Sequence, residues 1–473
     1  FGSRSASSSP ARGSARERAM GNAHHHQLHL GGNDELVINL AAAVIGVGVA
    51  SATSLGAALD ARRPPRRPGE QPGRPPWWST FLLGASYALL VPGLVCTLLS
   101  YNISVVPSAG IVKPLRERTE TLISFVFSMA SSGCWPGVVV LVLYAMVVPM
   151  IKLVLLGLGE RWRYSDSPQR LKQAATCIRT VQAAAKWSCP DMFAWILLMY
   201  LVRGMGGDGQ HMVSAGRLDV GFTCFCMFCL GTTIGSLGIE PPSTSTARGA
   251  VEEAGDAMLR GRDEQCSSSS SGSSGGGEAA QPERRLPWYF PGFLRDMEAG
   301  QRAKVLAGAF AASLCVGLFA PCMSLRLDLE LLHIPPALKP LVNSLHLPEA
   351  AYADASLWMC IQALLLSACR GEVNSAVAFV MLAVFAVAAT VGDVAVLSHL
   401  ASAPPGGAPL RLSRVLGRLA MLDVLLMGIF VVYLVMISYR KSGVILSGGW
   451  GLIPLAAAEL CHHLLQRCLP AQA

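Results

Sequence analysis

The chain has 473 residues, of which 52% are hydrophobic and only 14% charged, with a net charge of +8 and 14 cysteines. A soluble domain carries about 25% charged residues, so this deficit, with a mean hydropathy of +0.44, excludes an ordinary water-soluble globule. The basic residues sit between apolar runs, which assigns the excess to membrane topology rather than to nucleic acid, and no nucleic-acid-binding signature is present.

Residues 1–35 are rich in Ser, Ala, Gly and Arg and read as a disordered tail. The tail is acid-poor and Arg-rich, as transit peptides are, and His24, His25, His26 and His29 belong to it rather than to a metal site. Because the chain opens on Phe1, a fragment is the expectation and no signal peptide is read. Residues 36–60 form a possible extra transmembrane helix, uncharged from Leu36 to Leu59 but rich in Ala and Gly. A Pro/Arg linker follows at 61–78 and ends in Trp77 and Trp78, the residues of an interfacial belt.

A first transmembrane module is expected over 79–239. Its spans fall at 79–100, 136–158, 188–205 and 217–238, each near the roughly 20 residues that cross a bilayer. A shorter apolar stretch at 120–132 reads as a re-entrant or interfacial helix. Cys224, Cys226 and Cys229 lie in the last span, where a small-residue membrane helix explains them better than zinc or a disulfide. Residues 240–302 form a flexible linker with the Ser/Gly run 267–277. A second module is expected over 303–467, with spans near 303–325, 375–398, 418–439 and 443–465 and a short apolar stretch at 355–368, then a tail at 468–473. The fold class is therefore all-α: a polytopic integral membrane protein of two tandem four-helix modules, each with one short re-entrant or interfacial helix.

The expected repeat also shows in residues. Gly84 and Gly93-Leu94 match Gly308 and Gly317-Leu318; Asp393 holds the place of Lys152; and Lys186-Trp187-Ser188-x-x-Asp191 matches Arg418-Leu419-Ala420-x-x-Asp423. Lys/Arg counts place 61–76, 159–187, 239–302 and 401–418 on the cytoplasmic side, with both modules beginning and ending there. The sequon Asn102-Ile103-Ser104 falls on the outer side, too close to the bilayer to be used.

Ionisable groups inside spans are functional candidates because burying them is costly. Lys152, Asp191, Asp393 and Asp423 are the candidate intramembrane polar, proton-coupling residues. Lys152 is expected to pair with Asp191, and Asp393 with Asp423 to form a second polar cluster lining an interior cleft. The plainer alternatives are that the two acids at helix starts favour the positive helix end and that Lys152 snorkels to the interface. Glu459, His462 and His463 share one helix face, but polar groups near a helix end are ordinary, and no metal or cofactor is expected. There is no GxSxG, HExxH or Walker A motif, so no catalytic residues are assigned and the chain is not expected to be an enzyme.

The run Glu120–Gly157 (ETLISFVFSMASSGCWPGVVVLVLYAMVVPMIKLVLLG) and the block Lys186-Trp187-Ser188-Cys189-Pro190-Asp191-Met192-Phe193 resemble the paraquat-inducible protein A family. Leu419-Ala420-Met421-Leu422-Asp423-Val424-Leu425 is similar to the later part of the same motif. The resemblance covers about 79–239 and 303–467, and the first module is the better match. It implies a two-module membrane protein, in the inner membrane in bacteria, that partners mammalian-cell-entry-domain lipid-transfer proteins. Bacterial members carry zinc-ribbon cysteines before each module, whereas 61–78 and 240–302 contain no CxxC. The function expected is a membrane component of a lipid-transport or membrane-maintenance system that passes an amphiphile to a partner, with membrane lipids as ligands. The alternatives are a gradient-driven small-solute or ion transporter and a non-transporting scaffold. The host membrane is not legible in the sequence.

Overall fold

The computed structural model describes residues 32–63, 74–105, 113–165, 167–204, 212–242, 297–327, 352–402, 407–440 and 443–468. The N-terminal tail with its histidines, most of the Pro/Arg linker and the Ser/Gly linker lie outside the described residues.

Apolar sequence drives the long helices. Residues Gly32–Ala61 form α1 and Trp77–Val95 form α2, which closes with Pro92 in its last turn. Strands β1 (Thr97–Val105) and β2 (Lys113–Thr121) lead into the short helix α3 (Leu122–Ser131), capped by reciprocal Thr121 and Ser124 hydrogen bonds. Helix α4 (Trp135–Arg163) contains a π-helical stretch at Leu143–Val147. An amphipathic helix α5 (Pro168–Ala184), a 3₁₀ turn (Ala185–Ser188), α6 (Pro190–Gly204), β3 (Met212–Leu218) and α7 (Val220–Leu237) complete the first half.

The second half runs through α8 (Ala299–Phe319), β4 (Pro321–Leu327), β5 (Ala353–Ser356), α9 (Leu357–Cys369), α10 (Val373–Ser402, π-helical at Val380–Ala388), α11 (Gly407–Leu419), α12 (Leu422–Tyr439), β6 (Val444–Gly448) and α13 (Leu452–Cys468). Its elements follow the same order as those of the first half. Each half holds one antiparallel three-stranded sheet, ordered β2-β1-β3 and β5-β4-β6. Leu99 pairs with Leu218 in one sheet and Met323 with Gly448 in the other.

Among the described residues seven helical runs are long and apolar enough to cross a membrane: Glu35–Ala61, Trp77–Val95, Trp135–Arg163, Val220–Leu237, Gly300–Phe319, Val373–Ser402 and Ala408–Ile437. Their large apolar side chains face outward. Val91, Val139, Val154 and Ile437 are each about 60% exposed, a surface compatible with hydrocarbon rather than water. The chain is an all-α, multi-pass membrane protein.

Several span boundaries differ from the sequence reading. The ends of 79–100 and 303–325 and the starts of 217–238 and 443–465 are strands, not helix. Apolar β-branched and small residues satisfy a buried strand as well as a helix, so hydropathy alone merges the two. Helix α13 is correspondingly short, with 17 residues, and α6, which follows a 3₁₀ turn, has 15. Helices α5 and α11 lie in stretches read only as cytoplasmic connections.

Helix α7 is the central post, with 72% of its spanning window buried, against 6% for α1. Small residues permit this. A side chain at Gly221 would come within 2.6 Å of the Cys96 carbonyl oxygen, and one at Gly93 of α2 within 3.1 Å of the Phe225 backbone of α7, so the backbones of α2 and α7 approach closely. Cys224, Cys226 and Cys229 are free thiols packed into this post; Cys226 and Cys229 stand at CxxC spacing, but both side chains are fully buried. The two halves join where α6 packs on α12, and Gly428 makes the approach possible, because a Cβ there would sit 2.7 Å from Phe193 Cβ and from the Pro190 carbonyl oxygen.

Candidate functional site

The four candidate residues all prove to be buried or nearly so, but they do not pair as the sequence suggested. Lys152 is 2% exposed. Its Nζ donates to the Ala185 carbonyl at 3.1 Å, Ser188 Oγ at 3.2 Å and Thr232 Oγ1 at 3.3 Å. It therefore points into the protein rather than snorkelling out, and it serves the 3₁₀ turn that precedes α6. Such a turn leaves carbonyls without helical partners, and Lys152 answers one of them.

Asp191, 1% exposed, opens α6. Its Oδ1 accepts the Met192 N–H at 3.1 Å, and its Oδ2 has no hydrogen-bond partner among the described residues. The expected Lys152–Asp191 ion pair is not formed: the lysine donates to the turn and to Thr232 of α7, and the carboxylate folds back on its own helix start.

The expected cluster of Asp393 with Asp423 is likewise replaced by two separate arrangements. Asp393 is fully buried in α10. Its Oδ1 accepts from Ser413 Oγ of α11 at 3.0 Å; its Oδ2 lies 2.9 Å from His462 Nε2 and accepts from Gln466 Nε2 of α13 at 3.1 Å. One carboxylate thus ties three helices of the second half together. Asp423, at the start of α12, pairs instead with Lys186 of the first half, Nζ to Oδ2 at 2.6 Å. That bond crosses the junction between the halves. A second crossing is made by Arg203, which reaches Glu372 Oε2 at 3.2 Å and Ser367 Oγ at 2.9 Å.

The π-helical stretches position two of these groups. Leu143–Val147 ends five residues before Lys152, and Val380–Ala388 ends five residues before Asp393. A π-helical stretch rotates the residues after it relative to those before, and such distortions often accompany functional positions. Pro149 signals the first in the sequence; nothing comparable signals the second.

The residues that complete the site were absent from the candidate set. His462 and Gln466 stand one turn apart on α13, and Ser413 lies on α11. Of Glu459, His462 and His463, weighed together as a metal face, both histidines lie against Glu459 Oε1, His462 Nδ1 at 3.5 Å and His463 Nε2 at 3.3 Å, and one ligand atom each from Asp423, Glu459 and His463 fall within 4.8 Å of one another. The Asp423 carboxylate in that group already holds the Lys186 ammonium.

Directly above the Asp393 network opens a cleft of about 560 Å³. Its walls are Arg179 and Gln182 of α5, Pro241 just beyond α7, Ser413, Arg414, Gly417 and Arg418 of α11, and Gln466 of α13. Both halves therefore contribute. Gln182 fixes the floor by donating to the carbonyls of Ser236 and Ile239 at 3.1 and 2.8 Å. Gly417 lets α11 close over the buried carboxylate, since a Cβ there would lie 3.0 Å from Asp393 Oδ2. The cleft sits at the C-terminal ends of α7 and α13, whereas the strands β3 and β6 lead into their N-terminal ends. Over the 18 residues of α7 those ends are separated by about 27 Å at 1.5 Å per residue.

Residues 83–242 match the family model described as paraquat-inducible protein A. The match runs from the second turn of α2 to just past α7 and takes in Lys152, Asp191, Arg179 and Gln182. Searches of curated proteins and of solved structures found no match.

Proposed function

Starting from a first half that matches the paraquat-inducible protein A family over 83–242, we propose that this protein is the membrane component of a lipid-handling system. It holds an amphiphile between its halves and passes it to a partner, of which a mammalian-cell-entry-domain type of lipid-transfer protein is the leading case. The halves are read as tandem copies of one module, since element order, sheet order and the five-residue spacing from π-helix to buried charge recur in both.

The observation that carries this reading is the cleft. It is walled by α5 of one half and by α11 and α13 of the other, and α11 also carries the exposed apolar side chains Leu412 and Val415. An amphiphile needs both a polar pocket and adjoining apolar surface, and this is where the two meet. The buried charges act as supports: Lys152 holds the turn before α6, and Asp393 holds the three helices under the cleft.

Native mass spectrometry with lipidomics on the detergent-purified chain tests the proposal. A phospholipid retained above its share of the host membrane supports it. No enriched lipid, together with ion or solute flux when the chain alone is placed in vesicles, would replace it with the transporter reading. Neither lipid nor flux would leave a scaffold.

A further inference from the structure

We infer that the cleft between α5, α11 and α13 is the seat of a phosphate-bearing, anionic lipid headgroup. This rests on the lipid-handling reading above and adds to it the chemistry the site selects.

Three guanidinium groups, Arg179, Arg414 and Arg418, line one open space of about 560 Å³. That is within the roughly 300–1,000 Å³ typical of small-molecule sites. Among the described residues none of the three makes an ion pair or a side-chain hydrogen bond. Arg414 and Arg418 are also one helical turn apart, a spacing at which like charges repel. Each guanidinium presents five donors in a planar fork that matches phosphate oxygens. The site therefore has positive charge and donors in excess, and a bound anion would relieve both.

The other lining side chains do not compete for that anion. Ser413 and Gln466 already donate inward to Asp393, and Gln182 to the carbonyls of Ser236 and Ile239. Among the described residues the carboxylate beneath the cleft is Asp393, which is fully buried, with Ser413 on one oxygen and Gln466 and His462 on the other. It does not present its charge to a ligand as an open carboxylate would.

Position separates a lipid from a free phosphate. Helix α11 carries Leu412 and Val415, 50% and 45% exposed, on the same short helix as Arg414 and Arg418. An amphipathic helix of that kind lies at a membrane interface, so an apolar surface for acyl chains adjoins the arginine fork. The cleft also lies at the helix ends that the Lys/Arg distribution assigns to the cytoplasmic side, where basic pockets between membrane helices meet anionic headgroups.

The test is native mass spectrometry of the full chain titrated with phosphatidylglycerol or phosphatidylcholine, with inorganic phosphate and glycerol 3-phosphate as soluble competitors. The variant is Arg179→Gln/Arg414→Gln/Arg418→Gln; these side chains are exposed, so the fold is retained, and circular dichroism checks it. Arg411→Gln, on the same helix but outside the cleft, is the charge control. Wild type and the control are expected to prefer phosphatidylglycerol at least tenfold, and the triple variant to fall within about twofold of no preference while keeping neutral lipid. An unchanged preference in the triple variant overturns the assignment of the seat but leaves lipid handling intact. Soluble phosphate bound without any lipid preference overturns the lipid headgroup. No lipid bound to wild type at all sinks the lipid-handling reading on which the inference stands.

Discussion

Asp191 and Asp393 are both buried carboxylates in membrane helices, yet their surroundings predict different responses to mutation. Asp393 accepts from Ser413 and Gln466 at 3.0 and 3.1 Å and lies 2.9 Å from His462. Asp393→Ala leaves three polar side chains of α11 and α13 without their shared acceptor. Breaking a buried hydrogen-bonded charge network from one side costs about 3–5 kcal/mol. Asp191 engages only the Met192 N–H, and its second oxygen has no partner among the described residues. Asp191→Asn keeps that bond through the amide oxygen and replaces an ionisable group at a buried site with a neutral one, so it is expected to be close to neutral, within about 1–2 kcal/mol. Unfolding in a sodium dodecyl sulfate titration, followed by tryptophan fluorescence, reads both variants on one scale. Equal destabilisation by the two, or tolerance of Asp393→Ala, would refute the reasoning, because it would mean that hydrogen-bond partners do not decide the cost of burying these acids.

Other perturbations follow from the same geometry. Gly428→Val places atoms where Phe193 Cβ and the Pro190 carbonyl oxygen already lie at 2.7 Å, and it should destabilise the junction of α6 and α12 by about 1–3 kcal/mol in the same titration. Lys186→Ala and Asp423→Ala, combined in a double-mutant cycle, should show a coupling of about 1 kcal/mol, since the pair is partly exposed, at 17% and 12% for the two side chains; a coupling near zero would disconnect the halves at that point. Cys322, in β4 outside the spans, is buried with its thiol pushed up to about 12 by desolvation. Its thiolate is therefore absent until the pH nears that value, and N-ethylmaleimide should label exposed Cys369 while sparing Cys322 up to about pH 10. Early labelling of Cys322 would place β4 in contact with solvent.

Hydropathy made the long helices legible because runs such as 136–158 have no soluble interpretation, and the short apolar stretches at 120–132 and 355–368 became α3 and α9. The sheets stayed hidden. Thr97–Leu99 and Pro321–Leu325 continue the apolar runs of the helices they follow, and pairing with β3 or β6, more than 100 residues away, leaves no local signal. The candidate residues were found as individuals and mispaired as sets. A lone charge in an apolar run announces its own burial cost, but whether Lys152 meets Asp191 or the carbonyl of Ala185 depends on a 3₁₀ turn that the block Ala185–Ser188 does not advertise. His462 and Gln466 could have been noticed as an i, i+4 polar pair facing one way on α13. Their common acceptor, 69 and 73 residues earlier, could not. Arg179 and Arg414 were visible only as topology markers and Arg418 only as the repeat counterpart of Lys186, because their convergence requires α5 and α11 to be helices lying side by side with the end of α13.

The measurement that bears most directly on the central claim is photo-crosslinking with an anionic phospholipid carrying a photoreactive group close to its phosphate, in vesicles containing the full chain, followed by peptide mapping. The account predicts adducts concentrated on α5 and α11, on peptides that include Arg179 and Arg414 to Arg418, and their loss in the triple glutamine variant. Adducts spread along the lipid-facing sides of α1, α2 and α4, with none enriched at the cleft, would contradict it.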